Sequence, residues 1–168
     1  MAEHRYLIAL GSNVRHPRHG LPPAVLRAAF ARLDQEPMAL EAASAIFSTA
    51  PLGPSIRRYA NAAAVVRSCL EPVALLAHLK RIEADFGRRA GGARWRARVL
   101  DLDVVLWSGG VFKAPDLTIP HSQFRRRGFV LQPATQIAGH WRDPLTGLTI
   151  DHLTARMTRR LDPGATAP

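Results

Sequence analysis

A chain of 168 residues with 47% apolar side chains can bury a real core as one domain, and no stretch of it reaches the apolar length of a membrane span. A formal net charge of +10, carried by 21 Arg and only two Lys (Lys80 and Lys113), favours anionic ligands of every kind and does not choose among them. The single cysteine, Cys69, excludes an intramolecular disulfide and suits a reducing, cytoplasmic setting; its place at the end of an Ala/Val run reads as a buried structural thiol.

In chain order, residues 4–10 read as a first strand that ends in the turn Gly11-Ser12-Asn13. The apolar part of that strand is too short for a signal peptide. Pro22 and Pro23 suit the first turn of a helix to about Leu33, with Val25, Leu26, Ala29, Phe30 and Leu33 as its apolar stripe. Residues 40–49 and 59–69 read as two strands of small apolar residues joined by the loop Ala50-Pro51-Leu52-Gly53-Pro54.

A second helix is predicted over residues 72–86. Leu75, Leu79, Ile82 and Phe86 fall at helical spacing, Pro72 sits in the first turn, and Gly87 follows as the terminating glycine. Residues 88–98 form a glycine-containing basic loop, followed by a strand over residues 99–106. Gly109-Gly110 predicts a hairpin turn into Val111 and Phe112; residues 115–129 read as irregular and residues 130–137 as helical apart from Pro133. Residues 163–168 are expected to be a frayed tail after a single domain spanning 1–162. The order strand-helix-strand-strand-helix-strand predicts an α+β fold with a ferredoxin-like βαββαβ core and C-terminal additions.

The chemistry concentrates in Arg94-Trp95-Arg96-Ala97-Arg98-Val99-Leu100-Asp101-Leu102-Asp103. Side chains alternate along a strand, so Asp101 and Asp103 share one face while Leu100, Leu102 and Val104 share the other. Two carboxylates on one face repel and call for a cation. Mg²⁺ fits, because it takes one or two carboxylates together with phosphate oxygens. The upstream arginines would hold those phosphates from the other side. The outline is a nucleoside-triphosphate site without a glycine-rich phosphate loop.

The chain resembles the hydroxymethyldihydropterin pyrophosphokinases of folate biosynthesis, which move a diphosphate from ATP to a pterin alcohol. The resemblance runs collinearly through Ala9-Leu10-Gly11-Ser12-Asn13, Thr49-Ala50-Pro51-Leu52-Gly53-Pro54 and Tyr59-Ala60-Asn61-Ala62-Ala63. It continues through Ile82-Glu83, Gly87-Arg88, Arg94-Trp95, Arg98, Leu100-Asp101-Leu102-Asp103, Leu117-Thr118-Ile119-Pro120-His121 and Arg127-Gly128-Phe129-Val130-Leu131.

The resemblance implies that Asp101 and Asp103 hold two Mg²⁺ ions on the ATP phosphates, and that Arg88 and Arg98 stabilise the transferring group. It implies an ATP site of Glu83, Arg94, Trp95, Thr118, His121 and Arg127. The pterin would lie between Tyr59 and Phe129, with Asn61 reading its edge and the backbone of Thr49 and Leu52 lining the pocket. Residues 88–98 would act as a lid that excludes water, and the expected state is a monomer with no membrane partner.

Some positions depart from the family pattern. Ala90 stands where an arginine is usual, Arg96-Ala97 replaces Gly-Pro, Asp116 replaces a residue that is often basic, and Ser122 replaces an aromatic or proline. A divergent paralogue with weak or altered transfer is one alternative these departures leave. A basic RNA-binding module is a more remote one; only 7% of the chain is aromatic, and the base-stacking sheet motif such modules use is absent.

Overall fold

The computed structural model describes residues 1–49, 58–87 and 98–161, with Thr49 described by its backbone alone. The elements are β1 (His4–Ser12), α1 (Pro22–Leu33), β2 (Met38–Ala43), β3 (Phe47–Thr49), β4 (Tyr59–Ser68), α2 (Pro72–Asp85) and β5 (Asp101–Trp107). They are followed by β6 (Phe112–Ala114), β7 (Leu117–Ile119), α3 (Gly128–Ala138) and α4 (Ile150–Leu161). One antiparallel sheet runs in the order β2-β4-β1-β5, with β3 also on β4. That is the ferredoxin-like arrangement, each strand of a crossover pair separated by a neighbour.

Alternation along β1 divides two cores. Tyr6, Ile8 and Leu10 meet Val25, Leu26, Leu75, Leu79 and Ile82 of α1 and α2. Leu7 on the other face joins Ala63, Val65, Val105, Leu131 and Ala134 under α3 and α4. Both helices of the first layer start on proline, whose missing N–H costs nothing there, and Gly87 takes φ +94° just past α2.

Several expectations need correction. Residues 40–49 are two strands, because Ser44 leaves the ladder: its N–H donates to Ala63 O (2.9 Å) and its Oγ accepts from Ala63 N (2.9 Å). Gly109-Gly110 does turn the chain, with Gly110 N on Trp107 O at 3.2 Å, but β6 pairs with β7 and not with β5. Residues 115–129 are not irregular throughout, since they carry β7 and a 3-10 turn at Phe124–Arg126. Helix α3 starts earlier than expected and passes straight through Pro133, whose ring is buried and which has no N–H for the Phe129 carbonyl. Cys69 is exposed, because β4 ends at Ser68 and the chain turns away from the core there.

The amphipathic helix α4 adds an element that the expected order does not contain. It buries Ile150 and Leu153 against the α3 layer and turns Arg156, Arg159 and Arg160 to solvent. The expected tail at 163–168 lies outside the described residues. Among the described residues, no helix is long and apolar enough to cross a membrane.

Candidate active site

The register of three strands builds the floor of the site. Gly11 of β1 lies opposite Asn61 of β4 on one side and Asp101 of β5 on the other; Ala9 lies opposite Ala63 and Asp103 in the next same-face row. Directly opposed residues in an antiparallel pair face the same way. Asn61 and Asp101 therefore sit on one face, two interstrand spacings or roughly 10 Å apart. Gly11 and Ala9 keep the ground between them low. Ala63 packs beneath α3, which identifies this face as the α3 side of the sheet.

Asp101 and Asp103 share that face, as the alternation predicts, while Leu100, Leu102 and Val104 lie in the opposite core. Burial, and next the Asp101 charge, push the Asp103 carboxyl above its ordinary pKa, and His121, Lys80 and Arg127 pull it back. A bound cation would relieve that repulsion. The donors available are two hard carboxylates, and among the described residues no cluster of three or more His, Cys, Asp or Glu side chains forms a closed cage. Two carboxylates with open coordination fit Mg²⁺ carrying a nucleotide.

Arg98 is fixed from two directions. Its backbone is clamped by Asn13, whose Oδ1 accepts from Arg98 N (2.8 Å) and whose N–H donates to Arg98 O (3.0 Å). Its guanidinium then donates to Asp101 Oδ2 at 2.7 Å, so a cation already stands against one of the paired carboxylates.

The outer edge of β5 is covered by two other candidate residues. Glu83 is fully buried on α2, accepts from Leu102 N at 2.8 Å and pairs with Lys80 Nζ at 3.2 Å. Its carboxylate thus fixes the strand between the two aspartates from the side. His121 donates its backbone N–H to Val105 O (3.0 Å), the residue skipped by the register shift between Leu7 and Ile8. The His121 ring accepts from Gln123 N at Nδ1 (3.2 Å), which leaves Nε2 as the donor of the neutral imidazole. Burial holds that ring below the ordinary histidine pKa; Asp103 opposes this and Arg127 adds to it.

Arg127 lies 5.7 Å from the centroid of the Phe129 ring. Phe129 and Tyr59 are both large side chains left about half exposed, at 49% and 43%. Phe129 therefore does not belong to the core. Thr118 is exposed on β7, opposite Lys113. Beside it, a cleft of about 480 Å³ opens between α2 and the β6–β7 hairpin, with Val73, Leu76 and Leu117 as apolar walls and Lys80 and Asp116 at its rim. Arg88, Arg94, Trp95 and Leu52, the expected lid over residues 88–98 and the loop at 50–57 lie outside the described residues, except that Arg98 closes the former.

Asn13, Lys80 and Gly11 take parts in the site that the sequence alone does not assign to them. Asn13 and Gly11 were visible only as members of a motif; their roles come from strand register and from a contact 85 residues away in the chain. Lys80 had a usable signal, because it lies three residues before Glu83 on the same helix.

A ferredoxin-like sheet that carries two carboxylates beside arginines, an imidazole and an apolar cleft fits the class of nucleotide-dependent phosphoryl- or diphosphoryl-transfer enzymes. Comparison with known proteins narrows this class. Residues 7–139 match the 7,8-dihydro-6-hydroxymethylpterin-pyrophosphokinase (HPPK) family, and the chain belongs to that family. It is 37% identical over 141 residues to the 2-amino-4-hydroxy-6-hydroxymethyldihydropteridine pyrophosphokinase of Pseudomonas aeruginosa, covering 83% of this chain and 84% of that one. The enzyme of the same name from Haemophilus influenzae is 38% identical over 132 residues, covering 78% of this chain and 79% of its own. Among solved structures, wild-type HPPK-DHPS of Plasmodium falciparum with pteroate superposes with a TM-score of 0.74 at 12% identity. The match covers 97% of this chain and 44% of that one, a likeness of fold alone.

Proposed function

We propose that this chain transfers the diphosphate of ATP to the hydroxymethyl oxygen of 6-hydroxymethyl-7,8-dihydropterin and releases AMP, with two Mg²⁺ ions held by Asp101 and Asp103. The observation that carries this reading is the cross-strand row Asn61–Gly11–Asp101, with Asp103 in the next row of the same face. In this reading the Asn61 carboxamide at one end of the low floor would read the heterocycle edge, the Asp101 carboxylate at the other would hold Mg²⁺, and one flat bicyclic substrate would lie between them.

The residues divide the work by position. Asn61 offers a donor and an acceptor to the pterin edge, and Tyr59 and Phe129 supply exposed aromatic faces. The backbone of Thr49 and Leu52 would complete that pocket. The nucleotide base would enter the cleft between Leu76 and Leu117, which brings its phosphates past Lys80, Thr118 and His121 toward Arg127. Mg²⁺, when bound, would neutralise phosphate charge and align the attacking and leaving oxygens. Arg98 would then exchange its contact with Asp101 for the transferring group, and Arg88, Arg94 and Trp95 are assigned to the same phosphates by the resemblance. His121 donates from Nε2 to a phosphate oxygen. Glu83 acts by fixing β5 and orienting Lys80.

Phosphorus spectroscopy of the pterin product tests this directly. A pterin diphosphate ester formed together with AMP is expected; a pterin monophosphate with ADP would overturn it, and pterin binding without any ester would mark a divergent paralogue.

A further inference from the structure

Between the 3-10 turn at Phe124–Arg126, the start of α3 and α4, the described residues enclose another cleft of about 600 Å³. Four arginines line it: Arg125 and Arg126 from the 3-10 turn, and Arg156 and Arg160 from α4. Arg156 and Arg160 are four residues apart and so project from one helix face. Neither they nor Arg126 makes an ion pair among the described residues. Like charges gathered round one cleft repel, and an arrangement that gathers them there without a carboxylate for Arg126, Arg156 or Arg160 favours an anion from solution.

Arg125 is built into the wall. Its Nε and Nη2 donate to the fully buried Asp143 at 2.6 and 2.7 Å, and Thr146 Oγ1 donates to the same carboxylate at 2.6 Å. Asp143 thereby fixes the plane of the guanidinium, and Nη1 is left without a hydrogen bond among the described residues. The floor, in contrast, is apolar: Leu148, Leu153 and Met157. A bare inorganic anion would use the forks and waste the floor, and a neutral apolar molecule would do the reverse.

We propose that this cleft binds a small organic anion with a flat apolar body and a phosphate or carboxylate group. The body lies on Leu153 and Met157, and the acid group is held by Arg126, Arg156 and Arg160. Arginine suits this role because its planar fork meets two oxygens of such a group at once. The lining of the cleft includes none of the residues assigned above to ATP, pterin or Mg²⁺. Gly128 contributes to its lining and stands between Arg127 and Phe129 in the chain; a Cβ there would come within 3.1 Å of Met157 Sδ.

The test uses 1-naphthyl phosphate as the probe, followed through the arginine Nε–Hε resonances of the full chain. Saturable binding in the range of about 1 mM or tighter is expected, unaffected by saturating Mg-ATP. Inorganic phosphate and 1-naphthol should each bind at least about tenfold more weakly, and Arg156→Ala with Arg160→Ala should weaken the probe by a similar factor. Both substitutions are at exposed helix positions where alanine favours the helix, and Arg126→Gln provides an independent check outside α4. Absent binding, displacement by Mg-ATP, unchanged affinity in the arginine variants, or equal affinity for phosphate alone would each overturn the proposal.

Discussion

Asn13 and Arg98 hold each other by a reciprocal pair of hydrogen bonds, side-chain oxygen to backbone N–H at 2.8 Å and backbone N–H to carbonyl at 3.0 Å. The end of β1 is thus tied to the entry of β5 just where the Arg98 guanidinium reaches Asp101. Asn13→Ala removes the side-chain half of this clamp. The expected cost in stability is about 1 kcal/mol. Turnover should fall by roughly tenfold or more, because a misplaced Arg98 loses alignment. Urea unfolding and steady-state kinetics on the same preparation separate the two effects; unchanged turnover would show that Arg98 needs no such clamp.

Asp101→Ala or Asp103→Ala should abolish turnover without unfolding the protein. Asp103→Asn has an added consequence. Burial and the Asp101 charge disfavour the ionised form of Asp103 in the metal-free fold, so a neutral amide there should raise the thermal midpoint while activity is lost. Calorimetry without metal or nucleotide gives the sign; a lowered midpoint would contradict the electrostatic reading.

Arg98→Ala should reduce the chemical step on the order of a hundredfold and leave pterin affinity nearly intact, as expected of a group acting on developing charge. Single-turnover rates compared with equilibrium pterin binding make the distinction.

Gly11→Val addresses the floor. Among the described residues a Cβ at this position meets only Asn61 Oδ1, at 3.5 Å, and valine suits a strand, so the fold should persist. The added methyl groups would rise between Asn61 and Asp101 and should weaken pterin binding at least about tenfold through overpacking. Titration of the pterin into the folded variant checks this.

Asp143 sets an acid limit on stability. Burial works to raise its pKa, but hydrogen bonds from Arg125, Thr146 and the Leu145 N–H, with the Arg125 charge, outweigh it and hold the carboxyl below the ordinary range. The ionised form is therefore favoured in the fold. Its contribution is fully present above the unfolded-state value of about 3.9 and is lost as pH falls through the folded-state pKa. Asp143→Ala should cost about 3 kcal/mol near pH 7 and progressively less in acid. Urea midpoints at the two ends of that range give the answer.

The parts of the fold set by local periodicity were legible in the chain: β1, α1, β4, α2 and the shared face of Asp101 and Asp103. What could not be read depended on partners far away in sequence. Ser44 breaks the second strand because Ala63 competes for it. Residues 117–119 become a strand only because residues 112–114 lie opposite them. Residues 130–137 read as helical apart from Pro133, and the burial of Leu131 and Ala134 in the core under α3 carries the helix through it. Helix α4 was a different kind of miss: Ile150, Leu153 and Met157 carry helical spacing that went unused. In the site, residue types and order pointed to the chemistry. The locking of Arg98 by Asn13 and of β5 by Glu83 required the tertiary structure.

The most direct measurement is AMP release from ATP and Mg²⁺, with and without 6-hydroxymethyl-7,8-dihydropterin, for the wild-type chain and Asp103→Asn side by side. Pterin-dependent AMP from the wild type and none from the variant is the predicted result. AMP formed equally without pterin, or at wild-type rate by the variant, would contradict diphosphate transfer on the Asp101–Asp103 face.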